Sequence, residues 1–550
     1  MKMTKHPLGT LVETDVLVIG SGASGCGAAL GARDQGLDVV LMDKGKLESS
    51  GCIGGGNDHY MAVLDEPGEA HDTVEDLIKF YAKPLNGWSP AMLQNGWYAH
   101  MKYFLDVLGK AGVQFSKKAD GTYLRTQGFG QPGRWWVHIA NGMTIKRAMA
   151  RIVRDAGINT LDNVMAVKIL TDNGKACGAL GWNVRTGEFV LVRAKTVVSA
   201  QGRSATRGTD NSTHNPFNVW MYPYNTSAGV VLGYDVGAAV TELDTYQRAT
   251  MLPKGYGCPG MNGINSSGAH EINALGERFM GKYDPMMENG VRNNQIQGTF
   301  QEQMEGSGPP FYMDMRHVDK DVVHELQYVL MPGDKATFGD WADCTGTDFQ
   351  HKLLEVEIGE LIFGGTIAVN DTFETTVPNL FCGSIFLYCS GAMCGGYEAG
   401  RQAGMRAAGI TEAVRAAGAD FTAQMKAEFG TADPGIRLQL TEEGCGEYDA
   451  LDANSTQRLR KALLLMPWGV QAMSMDVPGL VETSLNLGVA ELDDSEAILR
   501  FSLRSSVPSA KELLSCKLQT LTELLGGSVR FHGDYPAWTY ARESALRDRC

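Results

Sequence analysis

The chain has 550 residues and a formal net charge of −14, and this length predicts several domains because single hydrophobic cores stop growing near ~250–300 residues. The negative charge argues against nucleic acid or an anionic membrane surface as a partner, and no apolar run approaches the ~20 residues of a membrane span. Residues 1–14 contain neither an apolar export-signal core nor a twin arginine, so we expect a cytoplasmic protein.

The first predicted elements are a strand, a glycine-rich turn, a helix and a second strand. Val16–Ile19 and Val39–Met42 are apolar runs of strand length, and the residues between them favour a helix. The turn has the pattern G-x-G-x-x-G, at Gly20, Gly22 and Gly25. The first glycine permits the tight turn, the second lets the backbone approach a pyrophosphate, and the third lets the helix pack on the strand.

The predicted helix, residues 23–35, brings unpaired backbone N–H groups and a partial positive charge to the phosphates of a dinucleotide. We expect its first residues, Ala23 and Ser24, to contact the cofactor. Asp43 ends the second strand about 20 residues after the turn, where an acid binds a ribose hydroxyl, and Lys44 follows it. This pattern fits FAD and NAD equally well.

A second glycine-rich loop, residues 49–57, directly follows the acid and has the sequence SSGCIGGGN. A nicotinamide dehydrogenase would continue with an ordinary strand–helix unit. A flexible loop of backbone donors instead suits a larger, flatter group such as an isoalloxazine ring. We expect the loop to hold the cofactor through Ser50, Gly51, Gly55, Gly56 and Asn57.

The remaining parts of the dinucleotide fold are predicted much later in the chain. Residues 192–202 favour a strand that ends in small residues, and alternating segments at 165–170, 176–183 and 189–192 predict a β-meander before it. Residues 376–409 then predict a short strand, glycines and a small-residue helix. The fold is therefore expected to be interrupted and completed near residue 410, with cofactor contacts from Gly202, Gly383, Ser384, Gly391 and Ala392.

Together these segments resemble the flavoprotein family of fumarate reductases, succinate dehydrogenases and adenylylsulfate reductase α subunits, over roughly residues 13–412. The interrupting segment carries the matches INALGERFMGKYDP, ENGVRNNQIQGTFQEQ and PPFYMDMRHV, and NPFNVWMYPYNTSAG is more similar to the adenylylsulfate reductase branch. The resemblance implies an α/β fold, in which a Rossmann-like FAD-binding domain (1–240 and 355–412) is interrupted by an α+β capping domain (241–354).

The cofactor that the resemblance implies is FAD. Members that attach FAD covalently use a histidine in the loop after the acid, and this chain has Ser49 and Ser50 there. We therefore expect noncovalent FAD.

The resemblance also implies which residues face the flavin. Arg292 matches the arginine that delivers a proton while a hydride passes from flavin N5 to the substrate. Because an arginine with a pKa above ~12 is a poor acid in water, we expect a proton relay through Glu277, Arg278 and Glu288. A salt-bridged structural arginine is the alternative for Arg292, and a solvated surface pair is the alternative for Glu277 and Arg278.

Several positions depart from the dicarboxylate reductases of the family. Arg248 stands at or near a substrate histidine, Thr250 matches a threonine, Glu360 replaces a second histidine and Ser384 replaces a glutamate. A glutamate would repel a fumarate carboxylate in a dry site, so we expect another substrate. The resemblance makes Arg248 and Thr250 substrate ligands, and Glu360 a hydroxyl or amine ligand or a base.

His59 is a further substrate-binding candidate, at the polar edge of the predicted pocket. A hydrogen-bonded structural histidine is the alternative. Structural roles are also the alternatives for Arg248 and Glu360.

No motif identifies the source of the electrons. A second dinucleotide fingerprint is absent from the sequence, and the 11 cysteines contain no C-x-x-C pair. Their spacing predicts neither an iron–sulfur cluster nor a structural zinc site, and we expect no bound metal. We expect a small-molecule substrate, with an external electron-transfer protein, a quinol or a nicotinamide as electron partner.

The composition changes after about residue 412. Residues 413–456 predict a polar connector, and residues 457–550 predict helix (457–465), strand (482–491), strand (497–504) and helix (510–525). MPWGVQAMSMDVPGLVETSLNLG, LRSS and GDYPAW resemble the lid domain of aminoacyl-histidine dipeptidases (cytosolic nonspecific dipeptidases). The resemblance implies an α+β lid fragment, and peptidase activity is not expected because the di-zinc ligands are missing.

The sequence therefore predicts an FAD-dependent oxidoreductase of the fumarate reductase-like class, acting on a small polar or anionic substrate that is not fumarate itself. Two other hypotheses remain open. One is an adenylylsulfate reductase-like flavoprotein acting with an iron–sulfur partner. The other is a fused chain that binds FAD without turnover.

Overall fold

The computed structural model describes residues 2–6, 9–83, 87–203, 212–214, 224–243, 251–256, 261–358, 364–409, 453–492 and 496–533. The chain divides into two compact units, Met1–Gly446 and Glu447–Cys550. This division falls inside the predicted connector, residues 413–456, while the other predicted domain limits stay predictions.

The described part of the first unit contains strands and helices in alternation. Its strands are β1 (Lys2–His6), β2 (Gly9–Glu13), β3 (Val16–Ile19), β4 (Val39–Met42), β5 (His59–Met61), β6 (Arg125–Thr126), β7 (Trp136–His138), β8 (Asn159–Leu161), β9 (Val164–Asp172), β10 (Lys175–Asn183), β11 (Phe189–Arg193), β12 (Thr196–Ser199), β13 (Val240–Thr241), β14 (Met251–Pro253), β15 (His270–Ile272), β16 (Phe311–Asp314), β17 (Leu354–Ile358), β18 (Thr366–Ile367) and β19 (Leu380–Cys382).

Its helices are α1 (Ala23–Arg33), α2 (Val74–Tyr81), α3 (Ala99–Lys110), α4 (Ile145–Asp155), α5 (Ala228–Asp235), α6 (Met261–Ser266), α7 (Arg292–Met304), α8 (Lys320–Glu325), α9 (Met331–Asp334), α10 (Thr337–Thr345) and α11 (Tyr388–Ala407). Short 3₁₀ segments lie at Cys52–Gly55, Gly142–Thr144, Met280–Lys282 and Met287–Asn289, and π-helical segments lie at Met92–Tyr98 and Leu326–Leu330.

The central sheet of the first unit is five-stranded and parallel, in the order β19-β12-β3-β4-β8. Strands β3 and β4 are buried at every residue, which is why both are continuous apolar runs: helices cover both faces of a parallel sheet. Their predicted limits are confirmed to the residue. Because β19 pairs with β12 across the long intervening segment, the predicted interruption and completion of the fold is also confirmed.

Helices α1 and α11 pack on each other through glycines. A Cβ atom on Gly27 would lie 2.0 Å from the carbonyl oxygen of Met393, and one on Gly400 would lie 1.9 Å from that of Ala28. Such distances leave no room for a side chain, so the two backbones touch. This contact fixes the first residues of both helices beside the same edge of the parallel sheet.

A second five-stranded sheet has the order β1-β2-β11-β10-β9. Strands β9, β10 and β11 are antiparallel neighbours, which confirms the predicted meander. Strand β2 joins β11 in parallel.

The segment between β12 and β19 contains a four-stranded antiparallel sheet, β14-β17-β16-β15, surrounded by helices α6 to α10. It has a hydrophobic core of its own, in which Phe279, Phe311 and Phe338 are buried. The α+β character agrees with the predicted insertion, and its role as a cap stays a prediction.

The second unit contains a three-stranded antiparallel sheet, β20 (Gly469–Met473), β21 (Val481–Leu492) and β22 (Ala497–Ser505), with helices α12 (Ala453–Leu465) and α13 (Pro508–Leu524). The four predicted elements are confirmed within four residues, and β20 was missed. Leu485, Met466 and Leu518 form its small core. The resemblance to a peptidase lid stays a prediction. In neither unit is a helix of the described residues long and apolar enough to cross a membrane.

Candidate functional site

One cavity of about 490 Å³ extends from the glycine turn after β3 to Arg292 at the start of α7. Its volume lies within the range of about 300–1,000 Å³ that is typical of small-molecule sites. The predicted site residues on its wall are Gly20, Gly22, Ala23, Ser24, Asp43, Lys44, Ser50, Gly51, Asn57, His59, Gly202, Arg292, Ser384 and Ala392. Residues predicted from distant parts of the sequence are thus brought to one place.

The other predicted glycines lie outside the cavity wall. Gly25, Gly383, Gly391 and Gly56 lie in tight contacts, where an added Cβ would come within 3 Å of a neighbouring atom. Gly25 lies against the carbonyl oxygen of Gly20, at 1.7 Å from such a Cβ. Gly55 has open space around it. These positions shape the cofactor loops and do not touch the cavity.

The turn itself requires glycine. Gly20 has a φ of +99°, and a Cβ there would lie 2.5 Å from the carbonyl oxygen of Ala200. A Cβ on Gly51 would lie 2.7 Å from Gly22 Cα. The two predicted glycine loops therefore touch each other, as expected of a cradle for a phosphate group.

Helix α1 begins at this cradle with unsatisfied donors. Its first N–H groups have no acceptor within the helix, and Gly22 at the N-cap provides no side chain. The buried Ser24 Oγ has no hydrogen-bond partner in the described part of the chain. A phosphate oxygen would satisfy these groups, so the residues present fit the pyrophosphate of an adenine dinucleotide.

Asp43 ends β4 as predicted, and its carboxylate is already engaged. Oδ2 accepts hydrogen bonds from Ser21 N and Ser21 Oγ, at 2.6 and 2.9 Å. Oδ1 accepts from Gly45 N and Ser50 Oγ, at 2.6 and 2.9 Å. The carboxylate therefore ties the two glycine loops together, and a ribose hydroxyl would share it with them.

A buried lysine lies behind the turn. Lys146 in α4 is 1 % exposed, and its Nζ donates to the carbonyl oxygen of Ser21 at 2.6 Å. Cys26 Sγ lies 3.4 Å from the same Nζ. No carboxylate of the described residues forms an ion pair with Lys146. No local pattern indicates this contact, because α4 is far from the turn in the chain.

Arg292 is the cation at the other end of the cavity. It is 8 % exposed, and its guanidinium lies 3.8 Å from the ring centroid of Phe129. Burial lowers the pKa of Arg292 to about 10, and the neighbouring hydroxyls of Tyr388 and Tyr81 oppose the decrease. Its Nε has no hydrogen-bond partner among the described residues, and no described carboxylate pairs with the guanidinium.

The predicted carboxylate relay does not reach Arg292. Glu288 pairs with Arg278 at 2.5 Å, and Glu277, whose side chain is 52 % exposed, pairs with Lys282 at 3.3 Å. None of the three relay candidates lies on the cavity wall. The expectation failed because nearness in sequence does not show which side of the segment faces the flavin.

Tyrosine hydroxyls stand near Arg292 instead. Tyr81 is hydrogen-bonded to Tyr388 and accepts a hydrogen bond from Gln131 Nε2 at 3.0 Å. Burial, together with Tyr388, raises the pKa of Tyr81 well above its ordinary value. Both tyrosines therefore stay neutral near pH 7 and can each donate a proton.

His59 forms a buried pair with Asp58 on the same wall. Its Nδ1 lies 2.6 Å from Asp58 Oδ1, and its ring stacks on Trp136 with 4.1 Å between centroids. Tyr388 makes an edge contact with His59, with 6.2 Å between centroids. Arg292, Phe129, Trp136, His59 and Tyr388 thus share one aromatic end of the cavity.

Three helices begin at this cavity. The first residues of α1 (Ala23, Ser24), of α7 (Arg292, Asn293) and of α11 (Tyr388, Cys389) line it, and none of the three N-caps provides a side-chain hydrogen bond within the described structure. Helix N-termini carry a partial positive charge. The cavity is therefore built for anionic groups along its whole length.

Three predicted substrate ligands, Arg248, Thr250 and Glu360, lie outside the described residues. Cavity residues that the sequence analysis missed are Phe80, Tyr81, Lys83, Phe129, Arg203 and Tyr388. Tyr388 had a usable signal, since it opens the small-residue helix that was predicted to face the cofactor. Arg203 directly follows Gly202, but its burial and its ion pair with Glu242 are tertiary features.

Comparison with known proteins identifies related sequences. A family model described as FAD binding domain matches residues 15–383. The chain is 26% identical over 429 residues to a fumarate reductase (CoM/CoB) of Methanothermobacter marburgensis, covering 73% of this chain and 71% of that protein. It is 24% identical over 391 residues to an L-aspartate oxidase of Streptomyces coelicolor, covering 68% and 64%.

Solved structures with the same fold include adenylylsulfate reductase from Archaeoglobus fulgidus. The TM-score is 0.61 at 23% identity, with 73% of this chain and 70% of that chain covered. The quinol fumarate reductase of E. coli gives a TM-score of 0.60 at 17% identity, with 90% and 97% covered. These similarities show the fold.

Proposed function

The chain belongs to the FAD binding domain family and is an FAD-dependent oxidoreductase, and we propose that it transfers a hydride between flavin N5 and a small anionic organic substrate. The predictions of FAD and of the oxidoreductase class are confirmed by the family match. Bound FAD supplies the two-electron redox chemistry at N5. The predicted residues hold it without a covalent bond in this proposal.

The observation that supports an anionic substrate is the unpaired cation at the aromatic end. A buried charge without a partner costs several kcal/mol, and no described carboxylate pairs with Arg292. A substrate carboxylate would compensate that charge through two parallel hydrogen bonds. The N-terminus of α7 adds a partial positive charge at the same place.

Cofactor and substrate would share the cavity in a fixed order. The glycine cradle, Ser24 and the N-terminus of α1 hold the pyrophosphate at one end. Arg292 lies on the wall of the same cavity at the other end. The residues of this chain thus align an anionic substrate with the redox-active end of a bound dinucleotide.

Arg292 also gives a proton to a substrate carbon when the reaction runs as the reduction of a C=C bond. The lowered pKa of Arg292, about 10, makes its guanidinium a better acid than a solvated one. Tyr388 and Tyr81 replace the carboxylates of the predicted relay. Their hydroxyls return a proton to Arg292 without introducing a negative charge that would repel the substrate.

The proposal is tested with dithionite-reduced, FAD-loaded protein. Anaerobic rapid mixing with a panel of enoates and oxo acids is expected to reoxidise the flavin with at least one of them. Arg292→Met is expected to lower that rate at least 100-fold. Arg316→Met removes an exposed arginine, paired with Asp314, and is the matched control.

The contrary result is equally clear. A protein that binds FAD but whose flavin responds to no organic acid in either redox direction would contradict the proposal. That outcome would favour the fused chain that binds FAD without turnover. An Arg292→Met variant that reacts as fast as the Arg316→Met control would exclude Arg292 from the site.

A further inference from the structure

The imidazole of His59 offers one specific nitrogen to the cavity. Although burial opposes it, the neighbouring His59 holds the pKa of Asp58 below its ordinary value, so the carboxylate is ionised and only accepts hydrogen bonds. His59 Nδ1 therefore carries the proton that bridges the 2.6 Å contact. In the neutral ring the lone pair then lies on Nε2, and no described residue hydrogen-bonds to Nε2.

The ring is held in place from several sides. Trp136 stacks on it at 4.1 Å and 18°, and Tyr388 contacts it by an edge. Trp136 in turn packs on Phe129, with 5.3 Å between centroids, and Phe129 carries the guanidinium of Arg292. A cation and a polarised hydrogen-bond acceptor are thus fixed on one small aromatic wall.

This pair of groups is complementary to an acid that also carries a hydrogen-bond donor. Arg292 binds the carboxylate, and the unpartnered Nε2 needs an O–H or N–H group. The smallest organic anion that joins both is a 2-hydroxy acid. We propose that the site oxidises 2-hydroxy acids to 2-oxo acids, with His59 as the proton acceptor and Asp58 as its positioning residue.

The reaction balances with the groups already named. The hydroxyl O–H bond breaks and its proton forms an N–H bond at His59 Nε2. The C–H bond of the same carbon breaks, and that hydrogen leaves with its electron pair to the bound FAD, so that a C=O bond forms. The substrate is oxidised by two electrons and FAD is reduced by two. This inference rests on the proposed function and deepens it.

Asp58 acts through His59 and does not touch the substrate. By fixing the proton on Nδ1 it keeps Nε2 free, and its charge stabilises the imidazolium formed in the reaction. The titratable and charged groups around the pair are Asp58, His138 and its partner Glu325, Tyr388 and Arg292.

The substrate test uses oxidised, FAD-loaded full-length protein. Glycolate, L-lactate and L-malate are mixed anaerobically with it, and alanine, aspartate, propionate and succinate serve as amino and unsubstituted counterparts. At least one hydroxy acid is expected to bleach the flavin absorption, at least 100-fold faster than its unsubstituted counterpart. Amino acids reacting faster than hydroxy acids, or unsubstituted acids reacting equally fast, would overturn the inference.

Variants separate positioning from packing. His59→Gln and Asp58→Asn are each expected to lower the rate about 100-fold or more, with less than a fivefold change in KM. His100→Gln is the matched control, because His100 also pairs with a carboxylate, Glu398 at 3.2 Å, but away from the cavity. Its rate is expected to stay within threefold of the unaltered protein.

A second measurement does not depend on turnover. In protein labelled with [15N]histidine, the His59 resonances are identified by their loss in His59→Gln among the 11 histidines. They are expected to show Nδ1 protonated and Nε2 unprotonated above the pKa of the ring, and Asp58→Asn is expected to remove this preference and to lower that pKa. A tautomer with the proton on Nε2 would overturn the inference.

The two proposals fail differently. If enoates reoxidise the reduced flavin but no hydroxy acid reduces the oxidised one, the proposed function stands and this inference is wrong. If His59→Gln reacts as fast as the control with a hydroxy acid, the substrate class stands and the role of His59 is wrong. If FAD binds and no acid reacts in either direction, both are wrong.

Discussion

The Nζ atom of Lys146 lies 2.6 Å from the carbonyl oxygen of Ser21, which places a buried ammonium group directly behind the glycine turn. Ser21 stands between Gly20 and Gly22, and its hydroxyl and N–H both bond Asp43. Lys146 therefore acts on the face of the turn opposite the cofactor. Its charge lacks a carboxylate partner among the described residues, and the pyrophosphate of FAD is the anion that compensates it.

Replacing Lys146 separates cofactor binding from stability. Lys146→Met is expected to weaken FAD binding by roughly 10- to 100-fold, because about 1.4 kcal/mol corresponds to a factor of ten. The FAD-free protein is expected to keep or raise its melting temperature, since an apolar side chain replaces an unpaired buried charge. FAD titration and thermal unfolding of the FAD-free form measure the two effects.

Arg147→Met is the control for Lys146→Met. Arg147 follows Lys146 in α4 and is exposed, so its replacement removes the same charge from the same helix. Its FAD affinity is expected to stay within about twofold of the unaltered protein. Equal losses of affinity in both variants would show that only the net charge matters.

The unpartnered hydroxyl of Ser24 gives a second test of the phosphate cradle. Ser24→Ala removes a buried polar atom without a described partner, so the FAD-free protein is expected to gain up to about 1 kcal/mol. FAD binding is expected to weaken about tenfold, because hydrogen bonds to charged groups contribute about 1.5–3 kcal/mol. Isothermal calorimetry and denaturant unfolding measure these opposite signs.

Ser390→Ala is the matched comparison. Ser390 is buried in α11, and its Oγ accepts a hydrogen bond from Trp97 Nε1 at 3.3 Å. It does not line the cavity. This variant is expected to lose stability and keep its FAD affinity, the reverse of Ser24→Ala. If both variants lose only stability, Ser24 does not bind the phosphates.

Glu271 predicts a pH dependence of stability. Burial raises the pKa of its carboxyl to about 8, above the ordinary value of 4.5, so the folded state binds more protons than the unfolded state between these values. Stability is therefore lost as pH rises from about 4.5 to 8 and changes no further above 8. Glu271→Gln, which keeps an acceptor for Asn265 Nδ2, is expected to remove this loss.

The measurement compares melting temperatures of Glu271→Gln and the unaltered protein from pH 5 to pH 8.5. The variant is expected to be more stable at pH 8.5, and the difference is expected to vanish near pH 5. Glu277→Gln removes an exposed carboxylate from the same segment and is expected to show no such divergence. A pH-independent difference for Glu271→Gln would show that its carboxyl titrates normally.

The glycine contact between α1 and α11 predicts a steric cost. Gly27→Ala and Gly400→Ala would place a Cβ 2.0 and 1.9 Å from a carbonyl oxygen of the other helix. Overpacking of this kind costs about 1–3 kcal/mol. Gly339→Ala in α10 meets no atom within 4 Å and is expected to stabilise the protein by about 0.5–1 kcal/mol.

Denaturant unfolding of these variants measures the free energy of unfolding. The same substitution is thus expected to change sign between the helix contact and open space. A stabilising Gly27→Ala would show that the two helices can separate without cost. FAD binding is expected to weaken together with stability, since this contact fixes the first turns of both helices.

Local sequence patterns were sufficient where burial is uniform or regularly alternating. Val16–Ile19 and Val39–Met42 were predicted to the residue, because strands buried on both faces are continuous apolar runs. In the second unit the alternation of Leu499, Phe501 and Leu503 with exposed neighbours located β22. The glycine turn was equally readable, since its backbone conformation admits no other residue.

The surroundings of charged side chains were not readable. Arg292 was predicted to face the flavin, and it does line the cavity, but its neighbours Phe129 and Tyr388 come from distant segments. Glu277 and Arg278 were expected near it and pair elsewhere. Which charges meet depends on how the sheets pack, and that information is not contained in any one stretch of sequence.

The pairing of β19 with β12 has a consequence for synthesis of the chain. While a ribosome extends the polypeptide, β12 emerges long before its neighbour β19, so one margin of the nascent parallel sheet stays open during that interval. Open strand margins readily join other chains, and parallel pairings between distant segments form slowly. The growing chain therefore depends on chaperone shielding until Leu380–Cys382 arrives and the sheet closes.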